Sequence, residues 1–148
     1  MDEQDLLKRI APCGLVCYTC TGAREGAIST RARELLRLLE GFEHYAPAFA
    51  EFEPELKHYA EFHEVLASFA KAGCDGCRTG QCIYPNCPIA PCIKEKGFHF
   101  CYECGEFPCA KMLADEHLGP IWKRANRRLK RIGVESYWDE VKDRPHYA

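Results

Sequence analysis

The chain has 148 residues, 47% of them hydrophobic and 28% charged, with a formal net charge of −2 and 11 cysteines. These values predict one soluble globular domain spanning 1–148, since the length leaves room for one core of ordinary size. The small net charge gives no global reason to expect nucleic acid or an anionic membrane as a partner. No apolar run reaches the roughly 18 residues of a membrane span, and the acidic N-terminus lacks the features of a signal peptide. We therefore predict a cytoplasmic protein without membrane association.

That location determines how the cysteines are interpreted. In a reducing cytosol, closely spaced cysteines indicate metal ligation or redox chemistry more often than disulfide bonds. The odd total of 11 also leaves one thiol over from any complete disulfide scheme. Metal binding is therefore the better interpretation.

Taken in chain order, the first elements are a short helical turn before Pro12 and an N-terminal cysteine cluster at 13–20. Leucines at helical spacing follow this cluster. They predict a helix over about 30–41, with Ser29 or Thr30 as its N-cap.

A second helix is predicted over about 54–72, opening at Pro54 and ending at Gly73. Together with the preceding helix it makes a helical hairpin at 30–72. Its aromatic side chains are assigned to the core: Phe49, Phe52, Tyr59, Phe62 and Phe69.

The next segment, 74–109, contains eight of the 11 cysteines and many prolines and glycines, but no periodic apolar pattern. It looks too poor in apolar residues to fold unless metal holds it. Helical patterns then resume in 110–144, with a break at Gly133. The predicted fold class is mainly α, a small helical domain with an irregular cysteine-rich region that metal staples together.

Three Cys-x-x-Cys units carry the strongest chemical signal: Cys17–Cys20, Cys74–Cys77 and Cys101–Cys104. Two thiolates at this spacing reach one ion, while the backbone N–H groups between them point at the sulfurs. A thioredoxin-like redox pair would come with a βαβ pattern, which this sequence lacks. Other cysteines recur at five-residue steps that no helix face keeps, so they belong on loops or are buried apolar thiols: Cys82, Cys87 and Cys92.

The predicted centre is either a zinc ion or an iron–sulfur cluster. Both accept four thiolates, so cysteine spacing alone does not distinguish them. Cys13-x3-Cys17-x2-Cys20 matches the cluster motif of radical S-adenosylmethionine enzymes, which would imply a [4Fe–4S] cluster. Those enzymes resemble β/α barrels of roughly 200 residues or more, and no strand–helix alternation follows the motif here. Zinc is therefore the preferred metal. A [4Fe–4S] cluster or thiol-redox chemistry is the alternative.

Other patterns point less clearly to chemistry. His99 lies two residues before Cys101 and is a candidate ligand, although a surface or core role is simpler. No nucleophile–base–acid set follows from spacing, so no enzymatic activity is assigned. The segment 123–131 carries six lysines and arginines beside Trp122 and is a candidate surface for a protein or nucleic-acid partner. A solvated helix face is the simpler interpretation.

Four segments also carry a family resemblance: Cys13-Gly-Leu-Val-Cys17-Tyr-Thr-Cys20, Cys74-Asp-Gly-Cys77-Arg78, Cys87-x4-Cys92-Ile-Lys-Glu-Lys-Gly97 and Cys101-Tyr-Glu-Cys104-Gly-Glu-Phe-Pro108-Cys109. Their order and spacing resemble family 3795 of the domains of unknown function, a small cysteine-rich prokaryotic family, over nearly the whole chain. The resemblance implies metal binding, with zinc expected, and no defined activity. Cys82 is the cysteine that fits the family's pattern least.

Together these observations predict a zinc-binding protein whose metal is structural and whose cellular role is binding or regulation. Cys17 and Cys20 are expected to join part of the later cluster, and the rest of the pairing stays open. The predicted ligands are Cys13, Cys17, Cys20, Cys74, Cys77, Cys87, Cys92, Cys101, Cys104 and Cys109.

Overall fold

The computed structural model describes residues 1–79, 82, 84, 87–113 and 115–147. Within those ranges the chain forms α-helices joined by loops and short 3-10 turns, and extended pairing is limited to two isolated bridges. The fold is mainly α, as predicted. None of the helices in these ranges is long and apolar enough to cross a membrane. The α-helices are α1 (Glu3–Arg9), α2 (Ala27–Leu38), α3 (Ala46–Phe49), α4 (Tyr59–Ala70), α5 (Ile89–Lys96), α6 (Ala110–Leu113), α7 (Leu118–Ile132) and α8 (Val134–Val141).

Helices α2 and α4 pack against each other as the predicted helical hairpin. The start of α2 differs from the prediction, because Gly26 is its N-cap and Ser29 and Thr30 already lie inside the helix. Ser29 is fully buried, and its hydroxyl donates to the Arg24 carbonyl at 2.8 Å. Its polar group therefore holds the preceding loop instead of capping the helix.

The aromatic side chains of the hairpin are mostly exposed, which corrects their assignment to the core. The segment Pro54–His58 is a 3-10 turn, and α4 begins only after it. Tyr59 is buried and packs edge-on against Phe42, with ring centroids 5.0 Å apart. Its neighbours on this part of the hairpin remain about half exposed or more: Phe49, Phe52 and Phe62.

Helix α5 lies in the cysteine-rich segment, where the sequence predicted no regular element. Prolines made this helix hard to predict. Pro88 is its N-cap and Pro91 lies near its N-terminal end, where a missing N–H needs no partner. Gly97, with a φ of 70°, then ends the helix in a left-handed conformation that glycine adopts without strain.

Two apolar clusters form the core of the described residues. The first joins α1, the C-terminal half of α7 and α8: Leu6, Leu7, Ile10, Phe100, Ala125, Leu129, Tyr137, Trp138 and Val141. The second packs the cysteine-rich segment against the N-terminal cysteine loop, α6 and α7: Ala11, Cys13, Ile89, Ile93, Met112, Leu118 and Trp122. Through Ile89 and Ile93 the cysteine-rich segment therefore contributes to a buried apolar core. Helix α7 contributes to both clusters and so joins the cysteine-rich half to the two ends of the chain.

Candidate metal centre

Two of the three Cys-x-x-Cys units fold as a single 3-10 turn. In the first, the Cys20 N–H donates to the Cys17 carbonyl at 3.0 Å. In the other, the Cys104 N–H donates to the Cys101 carbonyl at 3.2 Å. Because side chains three residues apart eclipse one another in such a turn, each unit brings its two sulfurs to the same side. One metal ion requires this arrangement of a ligand pair.

The Cys74–Cys77 unit is docked onto the N-terminal cysteine cluster by a parallel bridge. The Cys74 N–H donates to the Gly22 carbonyl at 2.9 Å, and the Arg24 N–H donates to the Cys74 carbonyl at 3.0 Å. The Arg24 guanidinium also donates twice to the Asp75 carboxylate, at 2.8 and 3.1 Å. Two pieces of chain that the long hairpin separates are joined at this point.

Seven cysteines line one cavity of about 630 Å³. The Cys77 thiol lies within electrostatic reach of the thiols of Cys17 and Cys82. Both the N-terminal cluster and the first part of the cysteine-rich segment contribute sulfurs to this space. We call these seven the cavity cysteines: Cys13, Cys17, Cys20, Cys74, Cys77, Cys82 and Cys87.

The remaining cysteines form a second neighbourhood around Cys101. Its thiol interacts electrostatically with those of Cys109, Cys92 and Cys104. Helix α5 supplies one of these sulfurs, the 3-10 turn supplies two, and the residue before α6 supplies the last. We call Cys92, Cys101, Cys104 and Cys109 the four-cysteine group. It adjoins the cavity cysteines at Cys13, which lies within electrostatic reach of Cys101.

Several sulfurs accept hydrogen bonds from N–H groups. Three backbone N–H groups each donate, at 3.4 Å, to the cysteine two residues earlier: Gly22 to Cys20, Gly76 to Cys74 and Tyr84 to Cys82. In the four-cysteine group, the Lys96 ammonium donates to the Cys104 sulfur at 3.4 Å and also pairs with Glu106. N–H donors of this kind are the outer partners that hold a metal-ligating side chain in place.

Trp122 on α7 lies directly against the four-cysteine group. The side chain is fully buried, so Trp122 is not part of the candidate partner surface that the sequence offered around residues 123–131. Among the described residues, no nitrogen or oxygen atom accepts from its indole N–H. That N–H faces the Cys101 sulfur. Burial raises the pKa of this thiol, and the hydrogen bond from the indole lowers it by a smaller amount. A thiolate at Cys101 would satisfy a donor that otherwise costs about 1–3 kcal/mol.

Asn126, one turn further along α7, links the two cysteine groups. Its Oδ1 accepts from the Tyr102 N–H at 3.1 Å, inside the turn that carries Cys101 and Cys104. Its Nδ2 donates to the Pro12 carbonyl at 3.4 Å, directly before Cys13. Asn126 is fully buried and supplies no ligand, so its role is to position both sets of sulfurs.

Arg78 ties the cysteine-rich segment to the N-terminal helix. Its guanidinium donates to the carbonyls of Leu7, Ile10 and His99 at 2.5, 2.6 and 2.7 Å. The same group lies over the Phe100 ring, 5.1 Å from its centroid. Because Arg78 directly follows Cys77, these bonds fix the backbone beside a cavity cysteine.

The electrostatic environment keeps several thiols protonated in the absence of a cation. Burial raises the pKa of Cys101 to about 11 and that of Cys82 to about 12. Burial also raises the pKa of Cys13, whereas for Cys77 the hydrogen bond with Cys17 is the largest cause of a raised pKa and burial adds to it. A bound metal ion reverses this balance, because a coordinating thiol is deprotonated outright.

All ten predicted ligands fall into one of the two cysteine groups, and Cys82, which the prediction left out, lines the cavity with the others. In the described part of the chain, no group of three or more His, Cys, Asp or Glu side chains is arranged so that it could hold a metal ion. His99 is exposed, and its backbone N–H donates to Glu103 at 3.2 Å. Tyr147, whose hydroxyl lies 3.8 Å from the Cys20 sulfur, was not predicted as part of the site, because no motif includes it.

The cysteine pattern and its spacing are those of a known family. The model of the family described as "Protein of unknown function (DUF3795)" matches residues 9–114. The chain belongs to this family. The match confirms the resemblance seen in the sequence, and within this DUF3795 protein it spans every cysteine but ends before α7. No curated protein and no solved structure matches the chain.

Proposed function

We propose that this protein binds zinc through its cysteines, and that the zinc has a structural role in the cysteine-rich half. The observation that carries the proposal is the four-cysteine group, with the buried Trp122 N–H facing Cys101. Four thiolates are the complete ligand set of a closed structural zinc site, which leaves no open position for a substrate.

The surroundings of the four-cysteine group suit a zinc–thiolate centre. Zinc with four thiolates is a doubly negative unit, so nearby N–H donors and cations stabilise it. The Lys96 ammonium on Cys104 and the Trp122 indole beside Cys101 supply such donors. The bound zinc would supply folding free energy, on the order of 10 kcal/mol for a structural site of this kind.

Elemental analysis of the full chain, purified anaerobically, tests the proposal. We expect at least one equivalent of zinc per chain that resists dialysis and is removed by a strong chelator together with the native fold. Purified protein without stoichiometric zinc would contradict the proposal.

The cavity cysteines favour a second candidate, an iron–sulfur or thiol-redox centre. Seven thiols exceed the four that one zinc ion takes, so this set has enough sulfur for a polynuclear centre. If it holds iron, the same elemental analysis will find iron and sulfide, and the anaerobic protein will be brown. A colourless preparation with zinc alone rules out the iron–sulfur form.

The cellular role that fits a closed structural metal is binding or regulation, in the cytoplasm, through a protein or nucleic-acid partner. Thiolate-bound zinc without disulfides suits a reducing compartment, and the basic residues 123–131 offer a charged surface on α7.

Replacing Trp122 by phenylalanine is expected to lower the affinity for zinc by about tenfold or more, because loss of an outer hydrogen bond to a ligand typically costs 10–100-fold. The measurement is competition with a chromophoric chelator. The matched control is Trp138→Phe, since Trp138 is also buried but packs against Tyr18 in the other apolar cluster. Equal zinc affinities of the two variants would show that the indole N–H does not act on the metal centre.

A further inference from the structure

Positive charge in this chain is concentrated on α7. The helix has 15 residues, of which six are lysine or arginine and none is aspartate or glutamate. Since the whole chain carries −2, the residues outside α7 carry a net charge of −8. A polyanion would therefore be attracted to one face of the protein and repelled by the rest.

These cations border a groove and not a flat helix face. The groove has a volume of about 720 Å³ and runs along α7. Besides its cations, the groove is lined by Leu113, Gly119 and Pro120. The cations along it are Lys123, Arg124, Arg127, Arg128 and Arg131. A groove with charged walls holds an anion more firmly than a solvated helix face does. This favours a binding surface over the solvated face that the sequence alone made the simpler interpretation.

The spacing of the cations suits a ligand with repeating negative charges. Residues 123, 127 and 131 form one row, four residues apart, and residues 124 and 128 form a second. With a rise of 1.5 Å per residue, neighbours in a row lie about 6 Å apart along the axis, and the longer row extends over about 12 Å. Such rows meet successive charges of a chain-like ligand better than a single small anion.

Most of these cations have no carboxylate partner in the described residues. Arg128 is paired with Glu140 on α8, but no ion pair within 4.0 Å involves Lys123, Arg124, Arg127 or Arg131 there. Four of the five groove cations are arginines, whose planar guanidinium binds phosphate through two parallel hydrogen bonds. The chemistry of the groove therefore favours phosphates.

We propose that the α7 groove binds the phosphate backbone of single-stranded nucleic acid without base specificity. An acidic protein partner would be expected to find an aromatic anchor at the centre of its site, and no aromatic side chain of the described residues lines the groove. Trp122 is fully buried and does not stack on bases, so recognition rests on phosphates. This inference gives the proposed binding role a ligand class and does not depend on which metal the cysteines hold.

The test is fluorescence anisotropy of a short labelled oligouridylate with the metal-loaded full chain. If all five cations contact phosphates, the logarithm of the binding constant falls with the logarithm of the salt concentration with a slope of about −3.5, since each contact on a single strand contributes about −0.7. A slope near zero, or no binding at low salt, would overturn the proposal.

Charge-reversal variants distinguish binding in the α7 groove from a general effect of the protein's net charge. The double variant Arg124→Glu/Arg127→Glu is expected to lose binding by at least about tenfold, since two of five phosphate contacts are reversed. The control is Arg37→Glu/Lys57→Glu on the hairpin, where both residues are exposed and the change in net charge is the same. Equal losses in the two variants would contradict a site on α7.

Two further measurements keep the test decisive. If the charge reversal disturbs folding, Arg127→Gln/Arg131→Gln replaces it, because both side chains are exposed. Polyglutamate serves as competitor, and displacement as effective as that by unlabelled oligouridylate would assign the groove to acidic proteins instead. Zinc content is measured on the same samples, so a failure of nucleic-acid binding is distinguished from a failure of metal binding.

Discussion

Changing Cys101 and Cys104 together to serine is expected to release the zinc of the four-cysteine group and to unfold the cysteine-rich half. Both thiols belong to one 3-10 turn, so the variant removes two ligands of the same proposed ion. Because a structural zinc contributes on the order of 10 kcal/mol, which is comparable to the whole net stability of a typical domain, the native state should not survive its loss. The measurements are zinc content per chain and limited proteolysis between residues 74 and 113.

The matched control is the double variant Cys17→Ser/Cys20→Ser. It removes two thiols from an equivalent 3-10 turn, but from the cavity cysteines. We expect this variant to keep the zinc of the four-cysteine group while losing whatever metal the cavity cysteines hold. Full zinc content and native protease resistance in Cys101→Ser/Cys104→Ser would refute the assignment of a structural site.

Replacing Gly14 by alanine is expected to destabilise the fold by about 2–5 kcal/mol. Gly14 has a φ of 86°, where a side chain costs about 1–2 kcal/mol. A Cβ there would also lie 2.4 Å from the Ala125 Cβ on α7, and overpacking of this kind costs about 1–3 kcal/mol. The Gly14 carbonyl accepts from the buried Tyr137 hydroxyl at 2.8 Å, so the backbone is not free to move away. Chemical denaturation of the metal-loaded protein measures the effect.

Gly41→Ala is the control for the backbone contribution. Gly41 has nearly the same φ, 83°, but nothing lies within 4 Å of a Cβ built there. This variant should therefore lose only about 1–2 kcal/mol. Equal destabilisation by the two variants would mean that the contact between the N-terminal cysteine loop and α7 contributes nothing to stability.

The elements that the sequence predicted well have periodic apolar residues of their own. The leucines of α2 placed the hairpin, and Gly133 correctly separated α7 from α8. The predicted helix ends were less accurate. Ser29 resembles a capping residue, but its hydroxyl donates to the carbonyl of Arg24 in the preceding loop. Helix α5 was not predicted because its segment contains Pro88 and Pro91. Proline is unfavourable only in a helix interior, and both of these lie at the N-terminal end of α5.

The burial of Trp122 was not predicted from the sequence. The buried face of α7 runs through Leu118, Trp122, Asn126 and Leu129. Helical spacing in the sequence contains this pattern, because a residue recurs on one face every three to four positions. The basic side chains around Trp122 concealed it and suggested an exposed aromatic residue.

No local sequence pattern predicts how the cysteines divide into two groups. Spacing identified the three Cys-x-x-Cys units, but it did not show that Cys74 pairs with the chain near Gly22. Nor did it indicate Asn126 or Arg78, because their partners are carbonyls and N–H groups of distant segments. Contacts of this kind depend on tertiary packing, which a single sequence does not reveal.

X-ray absorption at the zinc edge of the purified full chain tests the central claim most directly. The claim is that sulfur-to-metal bonds hold the cysteine-rich half together, and it predicts a first shell of four sulfurs at about 2.3 Å. The Cys101→Ser/Cys104→Ser variant should lose the zinc of its group. A shell of nitrogen and oxygen at about 2.0 Å in the unaltered chain, or the absence of tightly bound zinc, would contradict the account.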